Sequence, residues 1–212
     1  IVEGEHLVEE AFKNNLVIEA FSLDERDYST TVSVNVMKKL SNLTNPPKIL
    51  AVIKELKEKP INGNILILDG IQNPGNLGTI IRSAVSFGID TIVASLDTVD
   101  LYNPKVIRGS EGMLFKINYL KRDLLSFIKE NKDNYTFITT DVSSGNDIND
   151  IKIDEYYALI MGNEGAGVRK EISDEVNNKV HIKMDPVCES LNVSIATSIL
   201  LYELYKQYWK IY

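Results

Sequence analysis

Cysteine and histidine are nearly absent from this chain of 212 residues, which holds one Cys, at position 188, and two His. A single thiol excludes an intramolecular disulfide framework and any multi-thiolate zinc or iron–sulfur site. Two imidazoles leave little for a transition metal, so no metal is expected. A thiol-poor chain suits a reducing compartment, and the cytoplasm is the expected location. No apolar run approaches the roughly 18 residues that span a bilayer, so no membrane association is expected. Nothing at the start reads as a signal peptide. The chain opens on Ile1 without a methionine, and its first domain is expected to be truncated at its start. Internal repeats and low-complexity stretches are missing as well. Cationic charge is in deficit, with 23 Lys and Arg against 30 Asp and Glu for a net −7. That balance speaks against a nucleic-acid partner, because phosphate binding is driven by Lys and Arg.

What is present is ordinary for a globular protein: 44% hydrophobic and 25% charged residues, in a length between one and two domains. Residues 1–60 read as a small α/β module. Leu7, Val8, Ala11 and Phe12 have helical spacing. β-rich runs cover 16–21, 30–34 and 49–53, with a helix over 35–41. Residues 55–64 are charged, then carry Pro60 and Asn62-Gly63-Asn64, and form the expected linker. Residues 61–212 then alternate strand and helix. Strands are expected at 65–68, 91–94, 114–117, 136–139, 158–161 and 180–182, and helices at 77–87, 124–131, 168–176 and 193–208. The fold class is therefore α/β, with a doubly wound parallel sheet preceded by a small α/β domain.

Three loops follow strand ends, where open parallel sheets place ligands. The first, 69–78, carries Gly75 and Gly78 and offers Asn76 as a helix cap, so its free N–H groups favour an anion. It reads equally well as a plain capped turn. Arg82 lies farther along the same helix among Ile80, Ile81, Ala84 and Val85, and must face either an anion or water. The second loop, 162–167, has three glycines in six residues around Asn163 and Glu164. A carboxylate there disfavours phosphate and suits a neutral or cationic ligand, or an Arg. It also fits a glycine turn with a capping Glu. In the third, Ser190 and Asn192 stand where a long helix begins, as caps, as ligand donors, or as both. Cys188 could be a nucleophile only with a base beside it, and since the candidate, His181, lies upstream on a strand, Cys-His catalysis is not expected.

Taken together, the segments 73–84, 162–167 and 190–196 resemble the three ordered motifs of the SpoU (TrmH-type) RNA ribose 2′-O-methyltransferases, within the SPOUT superfamily. The segment 102–112 resembles the stretch between the first two motifs. The likeness covers 63–205. More weakly, 2–11 and 49–54 resemble the small ribosomal-protein-like RNA-binding domain that precedes the catalytic domain in many members.

The resemblance implies a C-terminal trefoil knot, a homodimer whose active site forms at the subunit interface, and S-adenosyl-L-methionine as cofactor. It places Gly162, Asn163, Ile182, Met184 and Leu191 at the cofactor. Arg82, Asn76, Glu164, Ser190 and Asn192 fall at the polar active-site positions. Lys183 stands where Pro is usual, and Gly109 where Ala is common. Arginine is almost never deprotonated, so the role expected for Arg82 is to hold a substrate phosphate and stabilise the developing alkoxide. Lys105, Arg108 and Arg169 are the expected RNA contacts. The two-domain layout points to large-subunit ribosomal RNA before tRNA. A non-catalytic RNA-binding module is the alternative from another class, and a dinucleotide enzyme would need a GxGxxG turn that is missing.

The helix over 193–208, apolar at Ile195, Ile199, Leu200, Leu204 and Tyr208, is read as part core and part dimer surface.

Overall fold

The computed structural model describes residues 1–141, 145–153 and 155–209, with side chains through Gln207. The chain opens with β1 (Val2–Glu3), α1 (Glu5–Lys13), β2 (Val17–Ser22), β3 (Thr30–Thr31), α2 (Val34–Leu40) and β4 (Ile49–Ile53). These strands form a four-stranded sheet in the order β1-β4-β2-β3. α1 is amphipathic and buries Leu7, Val8 and Ala11. The strand expected over 30–34 stops at Thr31, because Ser33 accepts the Val36 N–H and starts a helix.

There follow β5 (Ile65–Leu68), α3 (Pro74–Ser86), β6 (Thr91–Ser95), α4 (Pro104–Gly109), β7 (Asn118–Arg122), α5 (Leu124–Glu130), β8 (Thr136–Thr140), β9 (Tyr157–Met161), α6 (Lys170–Ser173), β10 (Asn178–Val180) and α7 (Val193–Trp209). Six of these elements make a sheet in the order β10-β8-β9-β5-β6-β7, with every pairing parallel. Both faces are covered, which is why the central strands are apolar at every position instead of alternating. Leu66, Leu68, Ile92, Ala94 and Leu159 face one core with α3, α4 and α7 residues. Ile65, Ile67, Val93, Ala158 and Ile160 face the other with α5 and α6 residues. The expected doubly wound arrangement is therefore present.

Val2, Leu7, Val8 and Ala51 of the first sheet belong to the same apolar cluster as Leu77, Val106 and Leu114. The two sheets thus share a core. Residues 54–64 have no helix or strand, yet they are pinned: Leu56 N–H donates to the Tyr102 hydroxyl (2.8 Å), and Asn118 exchanges two 2.9 Å hydrogen bonds with the Lys59 backbone.

Other expectations fail as well: the strand expected over 180–182 is β10, which ends at Val180. Residues 114–117 are not a strand but part of a 3₁₀ turn (Met113–Phe115), entered through left-handed Glu111 and Gly112, and β7 begins one residue later. A short apolar run cannot separate a strand from a buried turn. The helix expected over 168–176 shrinks to Lys170–Ser173, because Arg169 is extended and tied elsewhere. Among the described residues, no helix is long and apolar enough to cross a membrane.

Candidate functional site

The loops after β5 and β9 leave adjacent parallel strands at the point where the strand order reverses. Ligand crevices open at such points. In the first loop the cap of α3 is Asn73, not Asn76: its Oδ1 accepts from Gly75 N–H (2.8 Å) and Asn76 N–H (3.4 Å), with Pro74 in the first turn. The helix therefore starts three residues before the expected Leu77. Asn-Pro is a readable start signal, and it was the missed one.

Freed from capping, Asn76 joins the three loops. Its Nδ2 donates to Glu164 Oε1 (3.0 Å), and its Oδ1 accepts from Asn192 Nδ2 (3.1 Å). Glu164 also accepts from the Asn73 N–H (3.0 Å) and Gln72 N–H (3.3 Å). Burial alone would raise the Glu164 pKa, but the Asn76 side chain and these backbone donors outweigh it and hold the carboxyl below its ordinary value. Asn192 Oδ1 accepts from Ser194 N–H (2.9 Å), so Asn192 both caps α7 and closes the chain of hydrogen bonds.

The second loop is a closed turn in which Asn163 and Gly167 exchange backbone hydrogen bonds of 2.9 and 3.0 Å. A Cβ on Gly162 would sit 2.1 Å from Gly167 C and Val168 N, so only glycine allows the loop to return this closely. The Asn163 side chain is spent inside the protein: Nδ2 donates to Gly70 O (2.7 Å), and Oδ1 accepts from Gly165 and Ala166.

The second and third loops border a cavity of about 420 Å³, within the range of small-molecule sites. All five expected cofactor residues, Gly162, Asn163, Ile182, Met184 and Leu191, line it, as do Glu164 and Ser190. Thr140 and Asp141, which sequence reasoning did not single out, also line it, together with His181. They come from strand ends with no motif of their own. The charge of the lining is informative: Asp141, Glu164 and Glu189 contribute to it, and no described Lys or Arg does. Such a cavity suits a cation with an apolar body and repels a phosphate. Among the described residues, no group of three His, Cys, Asp or Glu could hold a metal ion.

Arg82 does not line this cavity. It is exposed on α3 and has no carboxylate partner among the described residues. Lys105 and Arg108 on α4 are likewise unpaired there, and their helix crosses α3 closely: a Cβ on Gly78 would lie 2.9 Å from the Gly109 backbone. Several other cations are paired with carboxylates. Arg26 binds Glu5 (2.6 Å), Lys116 binds Glu10 (3.3 Å) and Arg122 binds Glu58 (2.7 Å). Arg169, also expected at RNA, is half exposed and pairs with buried Asp69 (2.6 Å). Lys183 reaches Asp147 (3.7 Å). Cys188 Sγ donates to Ser190 O (3.3 Å).

Residues 63–202 match the SpoU rRNA Methylase family. The 23S rRNA (guanosine(2553)-2′-O)-methyltransferase RlmP of Bacillus subtilis (strain 168) is 35% identical over 216 residues, covering 96% of this chain and 87% of that protein. An AdoMet-bound rRNA methyltransferase from Sinorhizobium meliloti superposes with a TM-score of 0.85 at 25% identity, over 97% of this chain and 86% of that one. An RNA 2′-O ribose methyltransferase superposes with a TM-score of 0.78 at 28% identity, over 97% and 87%.

Proposed function

The chain belongs to the SpoU rRNA methylase family, and from that premise we propose that it methylates a ribose 2′-hydroxyl of large-subunit ribosomal RNA with S-adenosylmethionine. The observation that carries this reading is the acidic, apolar-walled cavity in which all five expected cofactor residues meet. Its composition fits a sulfonium cofactor carrying a flat adenine. When bound, that cofactor supplies an electrophilic methyl group. The protein's own part is to bind, orient and exclude water. Ile182, Met184 and Leu191 provide apolar contact, while the loop 162–167 presents backbone groups, its Asn163 side chain being already committed.

The Glu164–Asn76–Asn192 chain orders the rim where ribose would sit, and Ser190 lies beside it. Arg82 holds the target phosphate and stabilises negative charge growing on the 2′-oxygen as it is methylated. A guanidinium does this by electrostatics, without accepting the proton. Lys105 and Arg108, on the helix that crosses α3, extend the same cationic surface along the RNA backbone. These three cations, free of carboxylate partners and grouped on two crossing helices, answer the objection raised by the net charge of −7, because phosphate binding needs a local cationic surface and not a positive total.

The working unit is a homodimer. α7 leaves Ile195, Ile199 and Tyr202 exposed on one face, at helical spacing, while Leu200, Leu201 and Leu204 are buried. A second copy covering that stripe brings two active-site regions together, which accounts for an Arg82 that lies outside its own chain's cavity wall. Sedimentation should give a dimer, and a monomer at micromolar concentration would count against it. The carboxyl end forms a trefoil knot. In support, the chain leaving β10 runs against the loop after β8: Asn146 N–H donates to Lys179 O (2.9 Å), and His181 N–H donates to Asn146 O (3.1 Å). Residues 1–60 serve as an RNA substrate-binding domain and 61–212 as the methyltransferase domain, a division supported by their separate sheets. The protein acts in the cytoplasm.

The deciding experiment gives purified protein tritiated S-adenosylmethionine with ribosomal RNA and tRNA, then maps positions resistant to alkaline cleavage. Resistance at one site in 23S rRNA is expected. Label entering tRNA alone would move the substrate, and no label in any RNA would leave only a binding module.

A further inference from the structure

The loop 162–167, with three glycines in six residues, walls the cavity, so ordering it costs backbone entropy, and both of its ends are fastened to two consecutive residues. At the near end, Asn163 Nδ2 donates to Gly70 O (2.7 Å). At the far end, the Asp69 carboxylate takes two hydrogen bonds from Arg169, the backbone N–H to Oδ2 (2.8 Å) and Nε to Oδ1 (2.7 Å), and Nη2 lies 2.6 Å from Oδ1 as an ion pair. Asp69 is only 1% exposed while the Arg169 side chain is 46% exposed, so it is the carboxylate that is buried, and loss of Arg169 would leave that charge without its cationic partner. Arg169 also interrupts the approach to α6: its extended backbone is held at Asp69, and the helix starts only at Lys170.

We propose that Asp69 and Arg169 are positioning residues for the cofactor, fixing the loop 162–167 in its binding shape, and that Arg169 is not an RNA contact. This rests on the reading of the cavity as an S-adenosylmethionine site. The requirement for arginine follows from geometry. Nε and Nη2 of the guanidinium converge on Oδ1 while the backbone N–H of the same residue takes Oδ2, and a lysine ammonium cannot bring two nitrogens to one oxygen.

The test is isothermal titration of the full chain with S-adenosylhomocysteine, beside filter binding of RNA at several salt concentrations. Arg169→Ala should weaken S-adenosylhomocysteine about tenfold or more, with Arg169→Lys only partly restoring it. RNA affinity and its salt slope should stay as in the unaltered protein. Asp69→Asn should match Arg169→Ala, and the double variant should be no worse than either single one, since both break one interaction. Should Asp69→Asn fail to fold, the two Arg169 variants decide alone. Retained S-adenosylhomocysteine affinity in Arg169→Ala, or a weakened RNA affinity with a shallower salt slope, overturns the proposal. A lower melting temperature with unchanged affinity below it would show the pair to be structural only, and equally overturns it. Failure of the unaltered protein to bind S-adenosylhomocysteine would instead sink the cavity reading itself.

Discussion

Asn76 and Asn192, 116 residues apart in sequence, hydrogen-bond through their side-chain amides at 3.1 Å and so lock the start of α3 onto the start of α7. The direction of that bond is fixed by its neighbours. Asn76 must point Nδ2 at Glu164, which leaves Oδ1 for Asn192. Asn192 must point Oδ1 at Ser194 N–H to cap α7, which leaves Nδ2 for Asn76. Each amide is thus oriented by a different partner, and reversing either one breaks two contacts.

Asn192 therefore has two separable duties. Asn192→Ala removes the cap and should cost about 0.5–2 kcal/mol, lowering the melting temperature by about 2–4 °C per kcal/mol. Asn192→Asp keeps an acceptor for the cap but cannot donate to Asn76, so stability should hold while kcat falls about 10²-fold through misplacement of the rim. Melting curves and single-turnover rates check this, and an Asn192→Asp protein with full turnover would refute the positioning role.

Arg82 carries the complementary prediction. Its guanidinium is exposed and unpaired, so Arg82→Ala should leave the melting temperature unchanged and S-adenosylhomocysteine affinity within about twofold. It should lower kcat about 10²–10³-fold, as removal of an oxyanion-stabilising donor does. Arg82→Lys should recover little, for want of the planar fork. Retained methylation in Arg82→Ala is the result that rules the role out.

Much of this was legible in the sequence, for reasons that particular residues make plain. The run Ile65–Leu68 matches its strand to the residue, because a strand buried on both faces is apolar throughout. The three loops were recognisable because glycines and amides cluster at strand ends. What stayed hidden was pairing across distance. Nothing local marks Asp69 as the partner of Arg169, or Glu58 as that of Arg122, so basic residues that look available in sequence are spent in the fold. Residues 114–117 failed as a strand because Leu114 and Phe115 are buried equally well by a 3₁₀ turn. The cap of α3 was misplaced because two asparagines stand three residues apart, and the Pro that follows Asn73 was the deciding cue.

The close crossing of α3 and α4 gives an asymmetric pair of glycines. A Cβ on Gly78 meets the Gly109 Cα and C at 2.9 Å and Val106 O at 3.1 Å, all backbone that only a shift of the helix can relieve. Gly78→Ala should cost about 1–3 kcal/mol as an overpacking change. By displacing α4 it should also weaken RNA binding through Lys105 and Arg108. A Cβ on Gly109 meets Gly78 Cα at 3.4 Å, an ordinary contact. Gly109→Ala should therefore melt close to the unaltered protein. Equal destabilisation by the two would contradict this crossing geometry.

Glu164 ties the second loop to the first only while it is ionised, and this sets a pH dependence with a definite sign. Burial works to raise its pKa, and the hydrogen bonds from Asn76, Asn73 and Gln72 prevail and lower it below the ordinary value of 4.5. A group whose folded pKa is depressed contributes its stability in full above the unfolded pKa, and loses it as pH falls through the folded one. The three-loop arrangement should thus be intact from neutrality down to the ordinary carboxylate range and loosen below it. S-adenosylhomocysteine affinity should follow the same course. Glu164→Gln keeps one acceptor oxygen but replaces the other with a donor facing the Gln72 or Asn73 N–H. It should show weakened affinity at pH 7 and little further change on acidification. A Glu164→Gln protein that still loses affinity on acidification as steeply as the unaltered one would place the titrating group elsewhere, with Asp141 and Glu189, both lining the cavity, as the remaining carboxylates to vary.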